Sequence, residues 1–116
     1  SNQATLSFNW WNTRAKWCPS SGQLMKISDF QKLMADTYGD RDAERGVPAT
    51  VAWLAEEVGE LAKATRKGTH EQRTHEVGDV LAWLASLANQ LDLDLEDAAN
   101  RFANGCPTCS SIPCEC

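Results

Sequence analysis

The chain has 116 residues, enough for one domain of ordinary size with short appended segments. Sixteen acidic against eleven basic residues give a net charge of −5, the wrong sign for holding nucleic acid through its phosphates, so no nucleic-acid polymer is expected as partner. With 42% hydrophobic and 23% charged residues the composition is globular, and no apolar run reaches the roughly 18 residues a membrane helix needs. The N-terminus also lacks a signal-peptide core, so a cytoplasmic protein with no membrane partner is expected.

Residues 1–24 stand apart. They hold three of the five tryptophans and no acidic residue, and they show neither a helical nor a strand period. Met25 then precedes an apolar series and reads as a translation start. Residues 1–24 are therefore expected to be an N-terminal extension, either a native arm packing on the domain or a non-native addition.

From 25 to 104 the pattern is helical throughout. Ser28 with Gln31 resembles a capping box, predicting a first helix from about 28 to 38 that stops at Gly39. Pro48 suits the first helical position of a second helix, which runs to about Lys67 and stops at Gly68. Thr69 with Gln72 is another capping box, opening a third helix over about 70–91, and Asp94 caps a short fourth that ends near Gly105. The expected fold is all-α, a four-helix bundle.

On a helical wheel Val51, Leu54, Val58 and Leu61 fall within about 80°, the stripe expected of a core-facing helix. Val77, Val80, Leu81, Leu84, Leu87 and Leu91 form the corresponding stripe of the third helix. Glu57 lies about 40° from the edge of the first stripe and Glu76 about 20° from the second, each followed three residues later by another carboxylate, Glu60 and Asp79. A loop as short as Gly68-Thr69 makes the helices antiparallel neighbours, which draws the four carboxylates toward one point. Two such charges roughly 4 Å apart repel by about 4 kcal/mol at an effective dielectric of about 20, so their convergence requires a neutralising partner. An all-oxygen set suits Mg²⁺, or Mn²⁺, with positions left for water and phosphate oxygens. Solvated edge charges are the simpler alternative for any single pair.

The doubled motif, EEVGE at Glu56–Glu60 and EVGD at Glu76–Asp79, resembles the MazG-like nucleoside triphosphate pyrophosphohydrolases of the all-α NTP pyrophosphatase superfamily. The likeness runs over 25–104 and takes in WLAEEVGELAKA and DVLAWLASLANQL. It implies a MazG-like bundle completed by oligomerisation, as a homodimer or homotetramer. The implied activity is Mg²⁺-dependent hydrolysis of an NTP or dNTP to the monophosphate and pyrophosphate by metal-activated water. Carried over by position, Glu57, Glu60, Glu76 and Asp79 would ligate Mg²⁺, with Glu56 supporting the site. Phosphoribosyl-ATP pyrophosphatase shares the acidic helix pair and is the alternative within the fold. A non-catalytic helical interaction module with a zinc-binding tail is the alternative outside it.

Several residues have two readings. Lys63 and Lys67 follow Glu60 on its helix and could meet phosphates or form solvated pairs. Arg73 precedes Glu76 by one turn, and Arg101 lies in the region where family members place a basic phosphate contact. Trp53 and Trp83 could stack on a base or pack the interior. His70 and His75 are expected at the surface rather than as metal ligands.

Residues 105–116 (GCPTCSSIPCEC) form a cysteine-rich tail too short for a core of its own. Cys106, Cys109, Cys114 and Cys116 supply the ligand number and type of a tetrahedral Zn²⁺ site, with disulfides or a reduced, unordered tail as alternatives. Cys18 is expected to be incidental.

Overall fold

In a computed structural model the described residues are 25–116; the expected extension at 1–24, with Cys18, lies outside them. Among the described residues there are four helices and no strand: α1 (Ile27–Arg45), α2 (Val47–Lys67), α3 (His70–Gln90) and the short α4 (Leu95–Asn100). The all-α expectation holds.

Helix α1 differs most from its predicted bounds. It starts one residue before Ser28, with Lys26 at the N-cap and the Lys26 N–H donating to Asp29 Oδ2 at 3.4 Å. It runs through the half-buried Gly39, because a glycine inside a helix weakens it by only about 1 kcal/mol and does not by itself end one. The stop comes at Gly46, whose φ of +84° few other residues adopt and whose N–H donates to Asp42 O at 2.9 Å. Gln31, expected to cap α1, instead ties distant segments together. Its amide donates to Asn89 Oδ1 (3.0 Å) and Leu93 O (2.7 Å), and its oxygen accepts from Leu95 N–H (2.9 Å).

The other ends follow the sequence. Thr69 and Gln72 form the reciprocal capping box, at 2.8 and 3.1 Å. Gly68 permits the tight turn before it, since a Cβ there would lie 2.6 Å from Ala64 O. Arg73 fastens this corner by donating to Ala64 O (3.0 Å) and Thr65 O (3.3 Å), carbonyls of the last turn of α2, where a cation is electrostatically favoured. Asp94 accepts from Glu96 and Asp97 N–H, but α4 is only six residues long and gives way to turns well before Gly105.

The pairs Trp53/Trp83 and Ala64/Arg73 run in opposite directions along α2 and α3, so the two helices are antiparallel. Their seam is not the apolar stripe. Thr50, Glu57 and Ala64 are buried on α2 at seven-residue spacing, facing buried Asp79, Trp83 and Ser86 on α3. Val51, Val58, Val77, Leu81, Leu84 and Leu91, expected in the core, are all 39–53% exposed. A helical wheel identifies which face is apolar but not which body covers it. Within this chain the close approach of α2 and α3 uses small, polar and aromatic side chains. A small apolar cluster of Met34, Ala82 and Ala85, flanked by Phe30, Tyr38 and Leu95, seats α1 and α4 against α3.

Candidate active site and cysteine cluster

The seam carries the acidic residues inward. Glu57 is 2% exposed and Asp79 fully buried. Burial pushes the Glu57 carboxyl up from 4.5 to about 7, helped by the nearby charges of Asp79 and Glu76 and by a side-chain hydrogen bond with Asp79. Without a counter-ion, then, Glu57 holds a proton near neutrality while sitting against a second carboxyl group. His75 Nε2 lies 3.3 Å from Asp79 Oδ2, and His75, Glu76 and Asp79 offer ligand atoms within 4.8 Å of one another.

The other acids occupy the solvent side of this group. Glu60 and Glu76 line an open cleft of about 280 Å³ with Lys63, Ala64, Lys67, Gly68 and Gln72. Both lysines therefore share a cleft with two of the predicted ligands. Glu56 is exposed on α2. The four residues expected to converge thus occupy one region of the α2–α3 pair, two inside it and two toward its mouth. The donor set fits a hard divalent ion: several carboxylate oxygens gathered where burial opposes their charge. His75 offers one nitrogen donor beside Glu76 and Asp79.

The remaining predicted contacts are placed differently. Trp83 is 1% exposed and stacks on Trp53 with ring centroids 5.7 Å apart and planes 8° from parallel, while the Arg45 guanidinium lies 4.6 Å from its centroid. Arg45 is held by Asp42 at 2.6 Å, and Gln90 donates to the Asp42 carbonyl. Trp83 is thus an interior packing residue with no face left for a base; Trp53, half-buried, keeps a partly open flank. Arg73 is committed to the end of α2 rather than to phosphate. Arg101 lies over the Phe102 ring, at 5.1 Å, and is not part of the cleft lining.

His75 lies at the surface, as expected, with its side chain 43% exposed, and it also stands beside the buried Asp79. The signal for this was present in the i, i+4 spacing to Asp79, which places the two side chains on one helical face.

At the other end of the described chain the four tail cysteines are free thiols whose sulfurs lie together. Cys106 and Cys116 are 3.7 Å apart, Cys114 and Cys116 3.3 Å, and Cys109 and Cys114 3.9 Å. Backbone N–H groups of Glu115 and Ser111 point at Cys109 and push its thiol down to about 5.

The described residues thus form an all-α bundle with a carboxylate group set into an antiparallel helix seam. Residues 45–107 match the MazG nucleotide pyrophosphohydrolase domain, and the chain belongs to that family. It is also similar to the uncharacterized protein YpjD of Bacillus subtilis (strain 168), with 41% identity over 63 residues, covering 46% of this chain and 57% of the relative. The match thus spans little more than half the length of that relative. The domain is of the nucleotide pyrophosphohydrolase type, and no helix among the described residues is long and apolar enough to cross a membrane.

Proposed function

We propose that the chain hydrolyses a nucleoside triphosphate, NTP or dNTP, between the α and β phosphates in a Mg²⁺-dependent reaction that releases the monophosphate and pyrophosphate. The observation that carries this reading is the meeting of Glu57 and Asp79 inside the α2–α3 seam, with Glu76 beside them and Glu60 at the mouth of the same cleft. Such a set is unfavourable unless a cation compensates it.

In this reading Glu57, Glu60, Glu76 and Asp79 hold Mg²⁺, or Mn²⁺ with His75 as a further donor, and Glu56 supports them from the exposed side. The ion supplies charge neutralisation, polarisation of the phosphoryl oxygens and a lowered pKa for the attacking water. The protein supplies position. Asp79 is fixed by burial, and Glu57 is held against it, its proton leaving when the cluster is loaded. Lys63 and Lys67 place positive charge along the wall of the cleft, where the polyphosphate would lie. Trp53 is the aromatic left to face the base, while Trp83 supports it from behind.

A second copy of the chain completes the bundle in this reading, giving a homodimer or homotetramer. The support is the exposed stripe on α2 and α3, whose six valines and leucines are 39–53% exposed. A nucleotide substrate is in keeping with a cytoplasmic location.

The test is product analysis with Mg²⁺ over a panel of NTPs, dNTPs and phosphoribosyl-ATP. Equimolar monophosphate and pyrophosphate from one or more triphosphates is the expected result. Turnover of phosphoribosyl-ATP alone, or release of orthophosphate, overturns it.

A further inference from the structure

We propose that Cys106, Cys109, Cys114 and Cys116 bind one Zn²⁺ as a closed, structural tetrathiolate site that orders the end of the chain. This proposal is independent of the carboxylate site and of the reaction assigned to it.

The first ground is the arrangement of the sulfurs. A tetrahedral Zn²⁺ site has Zn–S bonds of about 2.3 Å, which separates neighbouring sulfurs by about 3.8 Å. The three closest contacts, at 3.3, 3.7 and 3.9 Å, straddle that value, and all four sulfurs lie within 4.8 Å of one another. Disulfides would divide them into two separate couples. Here Cys116 contacts both Cys106 and Cys114, and Cys114 also contacts Cys109, so each of the two middle sulfurs has two neighbours.

The second ground is the backbone that presents them. Cys106 O accepts from Ser110 N–H at 2.7 Å, and Cys106 N–H donates to Ser111 O at 3.2 Å, closing a tight turn that brings Cys106 and Cys109 to the same side. The turn depends on two left-handed positions, Gly105 at φ +95° and Ser110 at φ +58°. At Gly105 a Cβ would lie 2.5 Å from Ile112 Cγ1 and 2.8 Å from Ser111 O, so the segment leading to the second cysteine pair folds closely against the start of the first. The Glu115 N–H donates to Cys109 Sγ at 3.4 Å, the outer contact that steadies a metal-bound thiolate.

The third ground is energetic. Ile112 is 82% exposed, and Pro113, Cys114, Glu115 and Cys116 are exposed as well, so the segment buries almost no apolar surface with which to offset its conformational entropy. A metal supplies that order directly. The binding step balances: every thiol still protonated releases its proton to solvent, and four thiolates with one Zn²⁺ carry a net charge of −2, which the surrounding N–H groups and water disperse. With all four positions taken by protein, no site remains for water or substrate, so the role is structural.

The full chain, purified under reducing conditions, should contain one equivalent of zinc by elemental analysis. After exchange into Co²⁺ it should show thiolate-to-cobalt charge transfer and the strong d–d bands of a tetrahedral centre. Cys109→Ser with Cys114→Ser should abolish that spectrum, whereas Glu57→Gln with Asp79→Asn should leave it intact. Reduced protein that contains no zinc and gives no tetrathiolate cobalt spectrum overturns the proposal, as does a spectrum that survives in the double-serine variant. The unaltered chain's own spectrum decides the matter even if a variant fails to fold.

Discussion

Glu57 on α2 and Asp79 on α3 lie against each other across the helix seam, 2% and 0% exposed, in a place that a stable domain would ordinarily fill with apolar side chains. Glu57 therefore binds a proton more tightly in the folded than in the unfolded chain, with its carboxyl raised from 4.5 to about 7. The contribution to stability is complete below pH 4.5 and is lost as pH rises through about 7, by no more than about 3 kcal/mol. Thermal unfolding without divalent ion should show a Tm that falls over this window. Glu57→Gln should flatten the fall, since a neutral amide cannot titrate, and Mg²⁺ should raise Tm most at the upper end. A Tm independent of pH across the window in the wild-type chain would show that Glu57 titrates normally.

Trp83 should be the costlier of the two tryptophans to remove. It is 1% exposed and packed between Trp53 and Arg45, so Trp83→Ala leaves a cavity and should destabilise by about 3–5 kcal/mol in urea unfolding. Trp53→Ala, at a half-buried position, should cost less. Equal costs would contradict the interior role assigned to Trp83.

The exposed stripe gives a sharper test of assembly than size alone. Val58 and Leu81 are 49% and 45% exposed in the single chain, so charges there do not disturb its interior. Val58→Asp with Leu81→Glu should convert an oligomer to monomers in analytical ultracentrifugation while the far-UV circular dichroism per residue stays helical. A wild-type chain that is already monomeric at micromolar concentration would contradict the assembly.

Much of the helical layout was legible in local chemistry. Thr69 with Gln72, Asp94, Pro48 and Gly68 mark their ends correctly because each acts through atoms within four residues. Gly39 misled because a glycine in mid-helix is merely unfavourable, whereas Gly46 stops α1 through a φ of +84° that sequence does not display. The carboxylate group was visible in the paired motifs, but the depth of Glu57 and Asp79 was not. The hydrophobic period pointed at the stripe around Val58 and Leu81, and the seven-residue rhythm of Thr50, Glu57 and Ala64 carries no hydrophobic signal. Trp83 and Arg73 could be placed only by knowing their neighbours on other helices.

Initial rates of pyrophosphate release from nucleoside triphosphates with Mg²⁺, compared among wild type, Glu60→Gln and Asp79→Asn, bear most directly on the carboxylate site. The wild-type chain should release pyrophosphate, and each variant should lose about 100-fold or more while retaining a helical, cooperatively unfolding domain. Equal release by all three, or none by the wild type on any triphosphate, would contradict it.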